Sequence, residues 1–250
     1  MIGKVYLIGV GPGDPELLTL KAVRALKNAD IALVDDLVNR EILQFLRPDA
    51  RVIGVGKRGG CRSTPQAFIE RQMIQLALTG QCVARVKGGD PFVFGRGAEE
   101  AETLRAAGIT VEVVSGVTAG IGVPAALGIP LTHRELAHGA TFITGHPKAG
   151  ETVDWRALVA SGTTLVVYMG IAQLPQIVAD LREAGMAADT PVAVIQNGTL
   201  PHEQSVVTRL SAVASEVARS GIGSPAIVVI GKVVNLATVA CDARTCLQVA

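Results

Sequence analysis

The stretch Val83-Ala-Arg-Val-Lys-Gly-Gly-Asp-Pro-Phe-Val-Phe-Gly-Arg-Gly-Ala-Glu-Glu100 constrains the fold more than any other part of the chain. From Cys82 to Val86, β-branched residues alternate with others, the pattern of a strand, and the Gly-Gly-Asp-Pro that follows cannot continue a ladder. The strand therefore ends in a loop that exposes backbone. Gly88 and Gly89 carry no Cβ, so a flat ligand can lie against their main-chain N–H and C=O groups, and Asp90 adds a fixed carboxylate. After Phe94, Gly95-Arg96-Gly97 turns into Ala98-Glu-Glu-Ala-Glu, whose acidic first turn suits a helix N-terminus. In open α/β sheets, ligands sit beyond the carboxyl ends of strands, where this loop falls. The plainer alternative is a glycine-rich connector with no ligand.

The same strand, loop and helix order recurs on either side. Lys4–Val10 is a short apolar strand that runs into Gly9-Val-Gly-Pro-Gly-Asp-Pro15. Asp14 can cap the next helix with Pro15 at its first position, and Leu17, Leu18, Ala22, Val23 and Leu26 then recur at helical spacing. A dinucleotide fingerprint would need glycine at position 14, where a carboxylate would repel pyrophosphate, and no P-loop follows Gly56-Lys57 or Gly231-Lys232. Ala29–Val34 is a second strand. It ends at Asp35-Asp36, which read either as caps for a helix from Val38 to Leu46 or as site residues. Arg51–Val55 is a third, followed by Gly56-Lys-Arg-Gly-Gly-Cys-Arg62, and a helix runs from Ser63-Thr-Pro-Gln to Leu78. Three cations at a glycine-rich strand end point to an anionic substrate, since solvated charge normally spreads along helices. With a helix to Ala107 and a strand over Thr110–Val114, every strand is followed by a helix, so the sheet is expected to be largely parallel.

From Ser115 to Pro130 the chain becomes rich in Gly and Pro, which suggests closely packed backbone at a domain junction or a second half-site. Strands are expected again at Ala140–Thr144, Thr163–Tyr168, Pro191–Gln196 and Ala226–Ile230, with helices between, notably Leu174–Glu183 and Leu210–Ala218. The expected architecture is two α/β domains, residues 1–113 and 114–250, facing a shared cleft. Aromatic residues make up only 3% of the chain and the net charge is +1, so neither stacking platforms nor a basic field support a nucleic-acid partner. The N-terminus lacks a leader pattern, and no segment reaches the roughly 18 apolar residues of a membrane span, so a cytosolic protein with no membrane partner is expected. Cys61, Cys82, Cys241 and Cys246 form no CxxC pair and have no close histidines, so no metal is expected and free thiols are the default. His138, His146 and His202 read as polar fillers.

Three segments, Val5-Tyr-Leu-Ile-Gly-Val-Gly-Pro-Gly-Asp-Pro-Glu-Leu-Leu-Thr-Leu20, Val86-Lys-Gly-Gly-Asp-Pro-Phe-Val-Phe-Gly-Arg96 and Gly128-Ile-Pro-Leu-Thr-His-Arg134, together resemble the tetrapyrrole methylases. The resemblance continues through Val166-Val-Tyr-Met-Gly170, Thr190-Pro-Val-Ala-Val194, Asn197-Gly-Thr199 and Ser224-Pro-Ala-Ile227. It implies two α/β domains with an active-site cleft between them, usually in a homodimer, and S-adenosylmethionine as cofactor, leaving as S-adenosylhomocysteine. The implied cofactor contacts are Pro12, Gly88, Gly89, Asp90, Val93, Thr118, Ala119, Met169 and Gly198. Asp35 matches the family's proton acceptor and Lys57 its proton donor. Departures from the family pattern are Val34, Asp36, Arg62, Ser115 and Gln196.

The implied reaction methylates two pyrrole carbons of uroporphyrinogen III to give precorrin-2, on the way to siroheme or cobalamin. Alignment of an activated methyl donor with an electron-rich carbon needs little covalent help. Asp35 either accepts a proton or, as an ionised acid, orients substrate N–H groups. The substrate's eight carboxylates call for several cations, and Arg58, Arg62, Arg96, His133 and Arg134 stand in site-like loops, although any of them can instead be a surface or capping charge. Met169 reads either as core or as a side chain packed on an adenine face. The competing expectations are a related precorrin methyltransferase of the same family and a non-catalytic cofactor-binding module.

Overall fold

The computed structural model describes residues 2–56, 64–148 and 150–238. Lys57, Arg58 and Arg62, with Cys61, Cys241 and Cys246, lie outside the described residues. The chain forms two compact units, Met1–Ala119 and Gly120–Ala250.

In the first unit, β1 (Lys4–Gly9), β2 (Ile31–Val34), β3 (Arg51–Gly54), β4 (Val83–Lys87) and β5 (Thr110–Val114) form one sheet in the order β3-β2-β4-β1-β5. All four pairings are parallel, as the strand–helix alternation requires. The helices are α1 (Leu20–Lys27), α2 (Gln66–Leu78) and α3 (Gly97–Ala106). Strand side chains alternate between faces. Ile8, Ala84 and Val86 therefore pack with Leu26 of α1, while Leu7, Leu33 and Val83 pack with Met73 of α2 and Leu104 of α3. Covered on both faces, β1 and β4 sit side by side with Gly9 opposite Lys87, which brings the loops that follow them together.

Two local expectations are corrected in this unit. Asp14 accepts the Glu16 N–H at 2.8 Å, but it caps only a single 3-10 turn, Pro15–Leu17. The cap of α1 is Thr19, whose hydroxyl accepts the Ala22 N–H at 3.1 Å. The expected helix from Val38 to Leu46 is instead a 3-10 segment, Arg40–Phe45, capped by Asn39. Side chains three apart eclipse in that geometry, so buried Ile42 and its partner Phe45 both turn onto the α1 side of the sheet.

The second unit contains α4 (Ala119–Ala126), β6 (Ala140–Thr144), α5 (Trp155–Ala160), β7 (Thr164–Tyr168), α6 (Leu174–Glu183), β8 (Pro191–Gln196), β9 (Gln204–Arg209), α7 (Val213–Ser220) and β10 (Ala226–Ile230). The sheet order is β6-β7-β10-β8-β9. Only β6 and β7 pair in parallel, and the other three pairings are antiparallel. The core joins Leu165, Val167, Val194 and Val228 of the sheet to Ile177 and Leu181 of α6 and Val213 and Val217 of α7.

Two elements here were not expected. β9 is an edge strand that is only partly buried, and such strands carry a weak apolar alternation. α4 holds Gly120, Gly122 and Pro124, all poor helix formers. Packing overrides propensity in α4: a Cβ on Gly120 would lie 2.4 Å from the Tyr168 hydroxyl oxygen, which accepts the Gly120 N–H at 2.6 Å. The helix expected from Leu210 begins instead at Val213, and the Leu210 N–H donates to the Thr190 carbonyl at 2.8 Å. Among the described residues, no helix is long and apolar enough to cross a membrane.

Candidate active site

Three loops meet beyond the carboxyl ends of β1, β4 and β5. The Val10 N–H donates to the Lys87 carbonyl at 3.0 Å, Gly11 donates to Gly89 at 3.2 Å, and Gly89 returns a bond to Gly11 at 2.7 Å. Gly9 and Gly116 close the junction. A Cβ on Gly9 would stand 2.6 Å from the Gly89 oxygen, and one on Gly116 would stand 2.3 Å from it. Asp90 ties the junction together from the side, accepting the Phe92 N–H at 2.8 Å on Oδ1 and the Gly116 N–H at 3.1 Å on Oδ2. Both Asp90 oxygens thus hold backbone, a more structural post than a ligand carboxylate needs.

Gly88 and Gly89 differ from this packed set. The nearest atom to a Cβ on Gly88 would be Leu37 Cβ at 3.5 Å, an ordinary contact, so a methyl group fits there without moving backbone, and Gly88 itself stays partly exposed. Gly89 has φ +66°, and its Cβ direction runs 3.7 Å from the Ala119 N and 3.8 Å from the Thr118 Cα. The structure therefore brings Gly88, Gly89, Asp90, Thr118 and Ala119 together beside the loop that carries Pro12, while Val93 follows in the turn after Asp90. In the second unit, Met169 stands exposed at the end of β7, and Gly198 packs so closely on α4 that a Cβ would lie 2.3 Å from Val123 Cγ1.

Among the described residues, five that are not glycine have positive φ: Phe94, Arg96, Met169, Asn197 and Thr199, at 52°, 57°, 55°, 52° and 69°. Such backbone is sparsely populated outside glycine and collects at ligand sites. All five fall in segments whose sequence had already marked them, around Val93, Met169 and Gly198. Glu203 secures the last of these by accepting the Thr199 N–H at 2.7 Å.

Asp35 lies just past β2, where its N–H donates to the Val86 carbonyl at 3.2 Å. Leu33 pairs with Arg85 across the sheet, so the period of two places Asp35, Arg85 and Lys87 on one face, under α2 and α3. Arg85 Nη2 donates to Asp35 Oδ1 at 2.7 Å, and Arg85 Nε donates to Glu100 Oε1 at 3.1 Å. Lys87 Nζ donates to the same Glu100 oxygen at 3.3 Å and lies 3.8 Å from Asp35 Oδ2. Gln66 Nε2 adds a third donor to Glu100 Oε1 at 3.0 Å, while Glu100 Oε2 has no hydrogen-bond partner among the described residues. Glu100 is fully buried, Arg85 and Lys87 nearly so, and Asp35 keeps 29% of its side chain exposed. Burial first, and then Arg85, hold the Lys87 pKa below its ordinary 10.5, against the pull of Glu100 and Asp35. Sequence reasoning singled out Asp35 and missed its three charged partners. The signal was the pair Arg85 and Lys87, two residues apart in a strand buried on both faces.

Of the remaining expected cations, Arg96, His133 and Arg134 are described. Arg96 is an exposed residue at the start of α3, and its guanidinium pairs with Glu99 at 2.5 Å. His133 Nδ1 accepts the Glu135 N–H at 3.2 Å in a tight turn closed by His133 and Ala137, and Arg134 is exposed. Lys57, Arg58 and Arg62 follow Gly56 outside the described residues; Gly56 itself abuts Asp36, whose Oδ1 would lie 2.2 Å from a Cβ there.

Residues 4–214 match the family model of tetrapyrrole (corrin/porphyrin) methylases. The chain is 54% identical, over 93% of its length and 95% of the relative's, to the uroporphyrinogen-III C-methyltransferase of Pseudomonas aeruginosa. It is 48% identical to the siroheme synthase of Azotobacter vinelandii, of which it spans 51%. Among solved structures, the uroporphyrin-III C-methyltransferase of Thermus thermophilus complexed with S-adenosylhomocysteine superposes with a TM-score of 0.81 at 40% identity, covering 94% of this chain and all of that one.

Proposed function

We propose that this chain, which belongs to the tetrapyrrole methylase family, is an S-adenosylmethionine-dependent C-methyltransferase that methylates uroporphyrinogen III twice to give precorrin-2. The observation that carries the reading is the three-loop junction at the carboxyl ends of β1, β4 and β5, where Gly88 and Gly89 are partly exposed, with a partly exposed Asp35 just past the neighbouring strand. The Pseudomonas relative and the ligand-bound Thermus structure give the same reaction class.

The fit to the cofactor rests on Gly88 and Gly89, where a side chain would occupy the space a flat nucleoside needs. Pro12, Gly88, Gly89, Asp90, Val93, Thr118 and Ala119 are the proposed contacts in the first unit, with Met169 and Gly198 in the second. Bound there, S-adenosylmethionine supplies a methyl group on a sulfonium, already activated for attack by carbon. The protein's task is alignment and exclusion of water, worth several orders of magnitude in rate. Asp35 is the proposed acceptor of the proton lost when the methylated ring regains conjugation, and Lys57 the proposed donor. Arg58, Arg62, Arg96, His133 and Arg134 are the proposed partners of the substrate carboxylates. The reading extends to a homodimer working in the cytoplasm and to a product that feeds siroheme or cobalamin.

The test is incubation with uroporphyrinogen III and labelled S-adenosylmethionine, followed by a count of methyl groups on the product. Two methyls at pyrrole carbons are expected. No incorporation, or incorporation only into a later precorrin, would replace the reading with another member of the family.

A further inference from the structure

We propose that Lys87 is a positioning residue for Asp35: its ammonium, anchored on buried Glu100, backs the carboxylate oxygen that Arg85 does not hold. This rests on the reading of Asp35 as proton acceptor and adds a residue to that site.

A lysine at this place calls for an explanation. Lys87 is nearly fully buried, and an uncharged side chain at position 87 would avoid the cost of burying an ammonium. Satisfying Glu100 does not supply the reason. Glu100 Oε1 already receives Arg85 Nε at 3.1 Å and Gln66 Nε2 at 3.0 Å, so a third donor on that oxygen is redundant, and Oε2 is left without one. Asp35 presents the opposite case. Its Oδ1 is held by Arg85 at 2.7 Å, and the cation nearest Oδ2 among the described residues is Lys87, at 3.8 Å.

One contact on Oδ1 leaves a carboxylate free to rotate about its Cβ–Cγ bond. A second cation, itself fixed by a buried anion, restricts that rotation and keeps Asp35 aimed out of the sheet. The 3.8 Å separation is a charge contact rather than a hydrogen bond, and it depends on the local dielectric, which is low beside a fully buried Glu100. The charged groups that bear on the pair are Arg85 from β4, Glu100 from α3 with exposed Glu99 one residue earlier, and Asp36 beside Asp35. Gln66 from α2 is neutral.

Lys87→Met, Lys87→Gln and Lys87→Arg, assayed beside Asp35→Asn, test the proposal. Lys87→Met and Lys87→Gln are expected to lower kcat by about tenfold or more, with the KM for uroporphyrinogen III and the calorimetric affinity for S-adenosylhomocysteine within about twofold of wild type. Lys87→Arg, which keeps the charge, is expected to recover most of kcat. Wild-type kcat in Lys87→Met, or a loss confined to KM, overturns the proposal. If Lys87→Met does not fold, equal kcat in the Gln and Arg variants overturns it instead. Asp35→Asn separates the two claims: normal turnover there removes Asp35 from the mechanism, whereas slow turnover there beside normal Lys87 variants removes only Lys87.

Discussion

Gly116 approaches Gly89 so closely that a Cβ on Gly116 would stand 2.3 Å from the Gly89 carbonyl oxygen. The same Gly116 donates its N–H to Asp90, so the loop after β5 sets the height of the loop after β4 at both ends of the Gly89–Asp90 peptide. A methyl group here has nowhere to go without moving backbone.

Gly116→Ala is therefore expected to cost about 1–3 kcal/mol of stability, the usual range for overpacking, and to weaken S-adenosylhomocysteine binding by displacing Gly89. Gly88→Ala is the contrasting case. Its Cβ would meet nothing nearer than 3.5 Å, so stability is expected to stay within about 1 kcal/mol of wild type while binding falls. Urea unfolding and calorimetry on both variants check this. Equal destabilisation by the two substitutions would show that a methyl group on Gly88 is as crowded as one on Gly116.

Arg85 links buried Glu100 to partly exposed Asp35, and its removal leaves Asp35, among the described residues, with the 3.8 Å contact to Lys87 as its one ion pair. Breaking a buried pair by deleting one partner typically costs about 3–5 kcal/mol, because the other charge stays behind. Arg85→Met is expected near that range in denaturant unfolding, and Arg85→Met combined with Glu100→Gln less than the sum of the two single losses. Strict additivity of the two substitutions would mean that the residues act independently.

The sequence made the parallel sheet and its loops legible because strands buried on both faces, ended by Gly and Pro, leave little choice of structure. Thr110–Val114 and Ala226–Ile230 fall where the alternation placed them. What stayed hidden depended on distant partners. The Gly120–Pro124 segment is helical because Tyr168 packs on Gly120 and Val123 packs on Gly198, not because its residues favour helix. β9 is stabilised by pairing with β8, which its own half-exposed residues do not announce. At the site, Asp35 was visible as an acid at a strand end. Its dependence on Arg85, Lys87 and Glu100 needed the register of β2 against β4 and the packing of α3 on both.

Met169 has φ +55° and leaves 52% of its surface exposed. Backbone strain of that kind costs about 1–3 kcal/mol for a non-glycine residue and is kept where a side chain serves a ligand. Met169→Gly relieves the strain while adding flexibility to the unfolded chain, effects of similar size. Thermal stability is expected to hold or rise, and S-adenosylhomocysteine affinity to fall by about tenfold with the loss of an apolar contact. A lower melting temperature with unchanged affinity would return Met169 to a purely structural role.

Lys87 also makes stability depend on pH in a direction opposite to that of a well-paired lysine. Its pKa in the folded protein lies below the 10.5 of an unfolded chain, because burial and Arg85 disfavour the ammonium more than Glu100 and Asp35 favour it. Below the folded value the residue is charged in both states, and its destabilising contribution is fully present. Between the folded value and 10.5, the unfolded chain binds a proton that the native protein does not, so this residue's contribution to stability rises with pH. Above that window it is constant. The comparison of wild type with Lys87→Met isolates this residue from every other alkaline titration: the stability of wild type relative to the variant is expected to increase across the window between the lowered folded value and 10.5, measured by urea unfolding at each pH. A relative stability that falls with pH would mean that the ion pairs with Glu100 and Asp35 outweigh burial, and that Lys87 is held by its anions rather than merely tolerated beside them.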